Sequence, residues 1–390
     1  MGDGGLGQPR PVVAGPGVAI VDCPIPPIRA PVTDSTRLTM PCVWSPEHRL
    51  HQPGGEIWMG VRYQGTELPA RGDAILAALT AAGAPVQRAG PLDRGLLEVV
   101  HDPDLVAYLE TAWDDWVAAG YLDEPGQDRV VPYVFPIPGV STGRIPTAMS
   151  ARAGTFAFDT MTLIGPGSAA AILDATAVAD TAARLVVEGA PAVYALSRPP
   201  GHHAGRRFFG GSCYLNNAAV AAARLRSDRR RVAVIDIDAH HGNGTQEIFY
   251  RDPDVWYGSV HVDPGYGWFP HFIGFADERG EAEGAGANRN LPLPPGSGDD
   301  PWLEAVGSLV DEATAWGAEA VVVSLGVDAA AADPESPLEV TRDGYAAAGG
   351  RIGSTGLPTV LVQEGGYDLA TLGDLVVQTL IGVERGRETG

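Results

Sequence analysis

The stretch VAVIDIDAHHGNGTQ, Val232–Gln246, opens as an ordinary buried strand and then changes character. Four apolar residues lead into Asp236, Asp238, His240 and His241, with two glycines close behind. An unbroken apolar run is what a strand covered on both faces needs, and that is the habit of parallel sheets. Strand alternation would put Asp236, Asp238 and His240 on one side. Two carboxylates on an apolar strand are costly to bury unless something positive sits with them. A bound cation answers that cost. One imidazole and one or two carboxylates suit a borderline divalent ion such as zinc.

Working outward, the same signature recurs. AVYALSRPPGHHAG (192–205) ends on His202 and His203, EAVVVSLGVD (319–328) on Asp328, and PTVLVQEGGYDL (358–369) on Tyr367; DVWYGSVHVD (254–263) is a further strand. Helical patterns at 168–188, 216–226, 302–316 and 341–354 alternate with these runs. Apolar strands alternating with helices predict an α/β fold with a central parallel sheet and helices on both faces. In such sheets ligands collect at the carboxyl ends of the strands, so all four polar strand ends are expected at one edge. Two more amphipathic helices are predicted at 71–83 and 102–120, the second with Asp102 as N-cap and Pro103 in its first turn.

We read one catalytic domain over residues 36–390, preceded by a Gly- and Pro-rich extension over 1–35. Within the domain, 123–166 is a long rim dense in Pro, Gly and aromatics; loops of that length inside a compact domain are usually functional. The 390 residues are 45% apolar and 19% charged, a composition able to bury a large core. There is no apolar run long enough for a membrane span and no signal-peptide pattern, so a cytoplasmic location is expected. The formal charge is -21 and every one of the 27 basic residues is arginine. Nothing like a basic face is present, which argues against nucleic-acid binding; the short cluster Arg226–Arg231 reads as a solvated turn. Cys23, Cys42 and Cys213 form neither a disulfide framework nor a CxxC pattern.

Together these parts describe metal-assisted hydrolysis of an amide or ester. Asp328 adds a ligand from a second strand and leaves an open position, the mark of a catalytic rather than a structural site. The tandem His202–His203 offers a general base that later serves as general acid. Tyr367, between glycines and an aspartate, offers an oxyanion donor. There is no GxSxG, and Cys213 has no histidine beside it in sequence.

The segments RPPGHHAG, GGSCYLNNAAVAA, DIDAHHGNGTQEIFY, SLGVDAAAADP and EGGYDL resemble the histone deacetylase superfamily, and YLETAWDDWVAAGY, RIPTAM and FPHFIGFADERGEAEGAGA its bacterial acetylpolyamine amidohydrolase branch. The similarity runs from about Trp44 to Gly386. It implies an arginase-like fold, one zinc per subunit, and removal of acyl groups from amines. By motif it assigns Asp238, His240 and Asp328 as zinc ligands, and His202 and His203 as the catalytic pair with His203 nearer the proton-transfer role. Tyr367 matches the carbonyl-polarising tyrosine, and Asp236 and Asn243 stand behind the two histidines. Asp236, Asp238, His240 and Ser259 match a structural monovalent cation site, K+. Gly211, Ser212 and Phe269 match the substrate tunnel. Ser212 replaces a second aromatic wall, which implies a wider or more polar tunnel, and Asp159 is the one acid in the segment expected to read a distant amine.

The expected substrate is an acylated small amine such as an acetylpolyamine; acyl-lysine or a specialised metabolite are the alternatives. A two-manganese ureohydrolase would need further carboxylates where Gly242, Ala329 and Ala330 stand, and a non-catalytic acyl binder would not need the full catalytic set. The 123–166 rim resembles a dimerising segment, so a homodimer is expected.

Overall fold

A computed structural model describes residues 37–141 and 143–390; the extension assigned to 1–35 lies outside these. The strands are β1 (Cys42–Trp44), β2 and β3 (Glu56–Trp58 and Val61–Tyr63, a separate antiparallel hairpin), β4 (Val86–Arg88), β5 (Ala192–Ala195), β6 (Val232–Asp236), β7 (Val255–Val262), β8 (Asn288–Leu293), β9 (Ala320–Leu325) and β10 (Thr359–Gln363). Apart from the hairpin they form one eight-stranded sheet in the order β4-β1-β5-β10-β9-β6-β7-β8, with every pair parallel. The four strands whose ends carry the unusual polar residues, β5, β10, β9 and β6, are consecutive neighbours in this order.

Alternation along these strands splits the core in two. Tyr194, Ala233, Ile235, Val321, Val323 and Leu361 face one apolar layer, with Ile75, Leu79, Trp302, Leu309, Tyr345 and Leu380. Val193, Val232, Val234, Val322, Val360 and Val362 face the other, with Leu105, Leu109, Ile172, Ala179 and Val220. The first layer is built by α1 (Pro69–Ala81), and the second by α2 (Arg94–Val100) and α3 (Pro103–Ala118), with α4 (Met149–Phe156) beside α3. α5 (Ser168–Val187) and α6 (Asn217–Leu225) complete the second layer; α7 (Asn243–Phe249) follows the β6 loop, and α8 (Asp299–Trp316), α9 (Arg342–Gly353) and α10 (Leu372–Thr389) return to the first. Burying both faces of each central strand is why the sequence shows continuous apolar runs there instead of alternation.

The helix starts follow local chemistry. Asp102 accepts a hydrogen bond from the Asp104 N–H at 2.9 Å with Pro103 in the first turn, and Asn216 accepts one from the Ala219 N–H at 2.8 Å. Each satisfies a backbone donor that the helix itself leaves orphaned. The predicted 123–166 loop contains α4 and a bridge between Val130 and Ile164, yet leaves Tyr133, Ile137 and Val140 highly exposed. The Arg226–Arg231 cluster is the turn between α6 and β6, with Arg226 paired to Asp252 and Asp254.

Candidate active site at the strand ends

β6 ends at Asp236, so Asp238 and His240, which strand alternation was expected to carry, stand in the loop beyond it. The reason is a change of partner. The Ala239 N–H donates to Asp328 Oδ1 at 2.8 Å, a carboxylate at the end of the neighbouring strand, in place of a backbone carbonyl. The inward and outward alternation nevertheless persists, with Ile237 and Ala239 packed in the core. Asp238 Oδ1 accepts the His240 N–H at 2.9 Å and Asp238 Oδ2 the Gly365 N–H at 2.7 Å. His240 Nδ1 lies 2.9 Å from Asp328 Oδ2 and 3.3 Å from Asp238 Oδ1.

One ligand atom from each of Asp238, His240 and Asp328 lies within 4.8 Å of the others, and both carboxylates are fully buried. Burial and the neighbouring Asp238 charge push the Asp328 carboxyl upward: two such carboxylates cannot both ionise without a cation between them. Two oxygens and an imidazole nitrogen converging from two segments fit a divalent ion.

Beside this cluster stands the tandem pair, buried, with ring centroids 4.1 Å apart. His202 Nδ1 is 3.0 Å from Asp236 Oδ2, which also accepts the Tyr257 hydroxyl at 3.2 Å. Burial opposes the charged form of His202, but Asp238 and Asp236 outweigh it and lift the imidazole to about 10. His203 Nδ1 donates to Asn243 Oδ1 at 2.7 Å. That partner is neutral, so burial, reinforced by His202 and His240, holds His203 well below its ordinary value. One carboxylate and one amide thus drive adjacent imidazoles apart, the pattern that separates acid and base roles. His241, the second histidine of its motif, points elsewhere: its Nε2 meets Gln246 Oε1 at 3.0 Å.

Tyr367 follows β10 on a loop that Arg71 holds. The buried guanidinium donates to the carbonyls of Gly366 (2.5 Å) and Glu364 (2.6 Å) and to Glu67 Oε1 (2.9 Å), and it lies over the Tyr367 ring at 4.5 Å. Asp333 Oδ2 accepts the Tyr367 N–H at 2.6 Å. Burial pushes the phenol well above its ordinary value; Arg71 opposes this, and Asp238 and Asp328 add to it. Tyr367 therefore remains a donor. Arg71 and Glu67 carried no sequence signal beyond ordinary helix positions.

The predicted tunnel residues meet at the histidines. Gly211 has φ +56°, and a Cβ there would fall 2.4 Å from His203 Cδ2 and 3.0 Å from Phe269 Cε1. Only glycine fits that approach. Phe269 stands edge-on to His203, with centroids 4.9 Å apart. Phe158 lies nearly parallel to Phe269 at 6.0 Å, an aromatic ring that sequence reasoning did not place at the site. Ser212 is held by Thr162 Oγ1, which accepts its N–H at 2.9 Å. Asp159 is committed to backbone: it accepts from Gly211, Met161 and Thr162 N–H groups at 2.5–2.9 Å. Ser259 is buried and pairs in register with Asp236, its hydroxyl 2.7 Å from His261 Nδ1.

Two acids that the sequence did not flag stand near the residues that hold Tyr367 and the Gly211 turn. Glu335, two residues from the Asp333 that grips Tyr367, accepts from Thr66 Oγ1 at 2.8 Å. Burial, then Glu335, Glu67 and Asp159, push the Glu56 carboxyl up to about 7.

Comparison with known proteins shows the family and the fold. Residues 66–382 match the histone deacetylase domain. The chain is 41% identical over 347 residues to an acetylpolyamine amidohydrolase of Mycoplana ramosa, covering 88% of this chain and 99% of that one. It is 40% identical over 330 residues to an acetylpolyamine amidohydrolase of Burkholderia pseudomallei, covering 84% and 94%. A crystal structure of an acetylpolyamine aminohydrolase from Burkholderia pseudomallei superposes with a TM-score of 0.83 at 38% identity, over 88% of this chain and 98% of that one. The HDA15 HD domain superposes with a TM-score of 0.71 at 28% identity, over 90% and 93%. With its fold and most of its length shared in this way, the chain belongs to the histone deacetylase family, as an amidohydrolase of the deacetylase type.

Proposed function

We propose that the protein is a zinc-dependent hydrolase of N-acetylated amines whose preferred substrates carry a second, cationic amine, as acetylpolyamines do. The observation that carries the chemistry is the convergence of Asp238, His240 and Asp328 beside an asymmetrically partnered histidine pair. An ion held by those three residues supplies a Lewis acid for the acyl carbonyl and lowers the pKa of water.

The chain's own groups do the rest. His203, with Nδ1–H donated to Asn243, presents Nε2 as a lone pair; it takes the proton from the attacking water and returns it to the leaving amine nitrogen. His202, charged against Asp236, stabilises negative charge developing on the acyl oxygen. The Tyr367 hydroxyl donates to that same oxygen, a contact that strengthens as the carbonyl becomes an oxyanion. Gly211, Phe269 and Phe158 line the approach with backbone and two near-parallel rings, a slot suited to an alkyl chain. For the structural cation we retain K+ at Asp236, Asp238, His240 and Ser259, held through backbone carbonyls of this segment rather than through the side chains given to the divalent ion.

Support for a cationic substrate comes from the acids Glu56 and Glu335, the overall charge of -21, and the names of the relatives. The exposed apolar rim at Tyr133, Ile137 and Val140 supports a homodimer, because such patches usually mark an interaction surface. No helix among the described residues is long and apolar enough to cross a membrane. We place the enzyme in the cytoplasm, where the buried free thiols of Cys42 and Cys213 suit a reducing compartment.

The test is a turnover panel of acetylated polyamines, acetyl-lysine peptides and longer acyl-lysines, each with and without chelator. Chelator-sensitive turnover that favours the acetylated polyamines is the expected result. A preference for acyl-lysine peptides would overturn the substrate class, and chelator-insensitive turnover would overturn the chemistry.

A further inference from the structure

Beside the catalytic pair lies a second set of metal-ligating side chains, which joins His202 to two residues that the mechanism does not use, Cys213 and Glu364. One ligand atom each from His202, Cys213 and Glu364 lies within 4.8 Å of the others, and all three residues are buried. Glu364 is the residue after β10. Its Oε2 accepts the Gly201 and His202 N–H groups at 2.7 and 3.1 Å, while its Oε1 is buried without any hydrogen-bond partner. A buried carboxylate oxygen left unpaired is expensive and calls for an explanation. Cys213 is a free thiol at the end of the turn that carries Gly211 and Ser212.

We propose that His202, Cys213 and Glu364 form a second metal site, selective for a thiophilic divalent ion, and that filling it switches the enzyme off. The donor chemistry separates the two sites. Asp238, His240 and Asp328 offer no sulfur, whereas this set joins a thiolate to an imidazole and a carboxylate, a combination that soft and borderline ions prefer. His202 Nδ1 is held by Asp236, and once the imidazolium gives up its other proton to the incoming ion, a carboxylate behind a ligating imidazole fixes its tautomer and strengthens it as a ligand. Binding forms metal–sulfur and metal–nitrogen bonds while the Cys213 S–H proton and the His202 imidazolium proton leave to solvent; nothing is oxidised or reduced. A His202 engaged in this way no longer faces the acyl oxygen.

The binding half of the proposal stands on this geometry, and the switching half rests on the catalytic reading of His202. The experiment takes enzyme carrying one equivalent of its catalytic metal and titrates it with cadmium chloride, following both the thiolate-to-cadmium charge-transfer absorption and turnover. In the wild type we expect the absorption to saturate with one added equivalent while activity falls at least about tenfold. Cys213→Ala retains turnover, shows no band, and needs about 10–100-fold more cadmium for the same loss, the usual scale for disturbing a metal site. Cys42→Ala leaves the band intact. Should Cys213→Ala fail to fold, Glu364→Gln serves instead, with cadmium affinity weakened about tenfold. A wild type without the band, or a band that survives in Cys213→Ala, overturns the site. A band that forms with activity unchanged overturns the switch and leaves the deacetylase reading untouched.

Discussion

Asn243 is the neutral partner of His203, and replacing it with aspartate should move the enzyme's pH profile by a predictable amount. The imidazole Nδ1 lies 2.7 Å from Asn243 Oδ1. With a carboxylate there, the charge centres stand about 4 Å apart, and at an effective dielectric near ~20 their attraction is about 4 kcal/mol, equivalent to about 3 pKa units. The new carboxylate must itself be desolvated, which we take to remove about half, leaving a rise of about 1–2 units.

The sign follows from the role. In the wild type, burial together with His202 and His240 keeps His203 neutral to well below its ordinary range. In Asn243→Asp the imidazolium form is favoured, so the base is lost at a higher pH as the medium is acidified. The acid limb of kcat/KM, which reports the free enzyme's essential base, should move to higher pH by about 1–2 units. The assay is a kcat/KM profile on an acetylated diamine for both proteins. Superimposable profiles, or a shift to lower pH, would refute the assignment of His203 as the base.

Three further outcomes are expected. Tyr367→Phe should lower kcat by about 10²–10³-fold with little change in KM, since the hydroxyl is an oxyanion donor and the loop is held through backbone by Arg71 and Asp333; steady-state kinetics checks this. Gly211→Ala should cost about 10²-fold in kcat, because the added Cβ meets His203 Cδ2 at 2.4 Å and a small displacement of a catalytic group has that effect; near-normal turnover in a folded variant would contradict it. For a substrate with a distal ammonium, wild-type KM should rise as pH falls through about 7, where Glu56 takes up a proton. Glu56→Gln should raise KM about fivefold above that pH, the scale of a partly exposed ion pair worth about 1 kcal/mol, and remove the pH dependence.

The sheet's centre was legible because β5, β6, β9 and β10 are buried on both faces and must be apolar throughout. Its edges were not. β4 and β8 close the two ends, and an edge strand tolerates Pro292 and the polar side chains of NRNLPL, which erases the strand signal. α10 was hidden for another reason: Gly373, Gly382 and Gly386 lower its helix propensity. The structure shows what two of them do. A Cβ at Gly382 would fall 2.2 Å from the Ala346 carbonyl, and one at Gly386 2.2 Å from that of Gly350, so α9 and α10 touch backbone to backbone.

At the site, the metal and histidine motifs were readable because each packs rare polar residues onto an apolar strand end. The parts that steer them were not. Arg71 and Glu67 sit on or beside a helix, nearly 300 positions from the loop they brace, and Phe158, Glu56 and Glu335 reach the site only through the fold. Asp159, the one acid in the segment where glutamates were expected to read a distant amine, ties its oxygens to the Gly211 turn and to its own loop.

The central claim is that Asp238, His240 and Asp328 hold one divalent ion on which turnover depends. Elemental analysis of active, purified enzyme beside Asp328→Asn tests this most directly. The account predicts one zinc per chain in the wild type, with metal and turnover lost together in the variant. Full activity in material containing no divalent metal, or a variant that keeps its turnover without the ion, would contradict it.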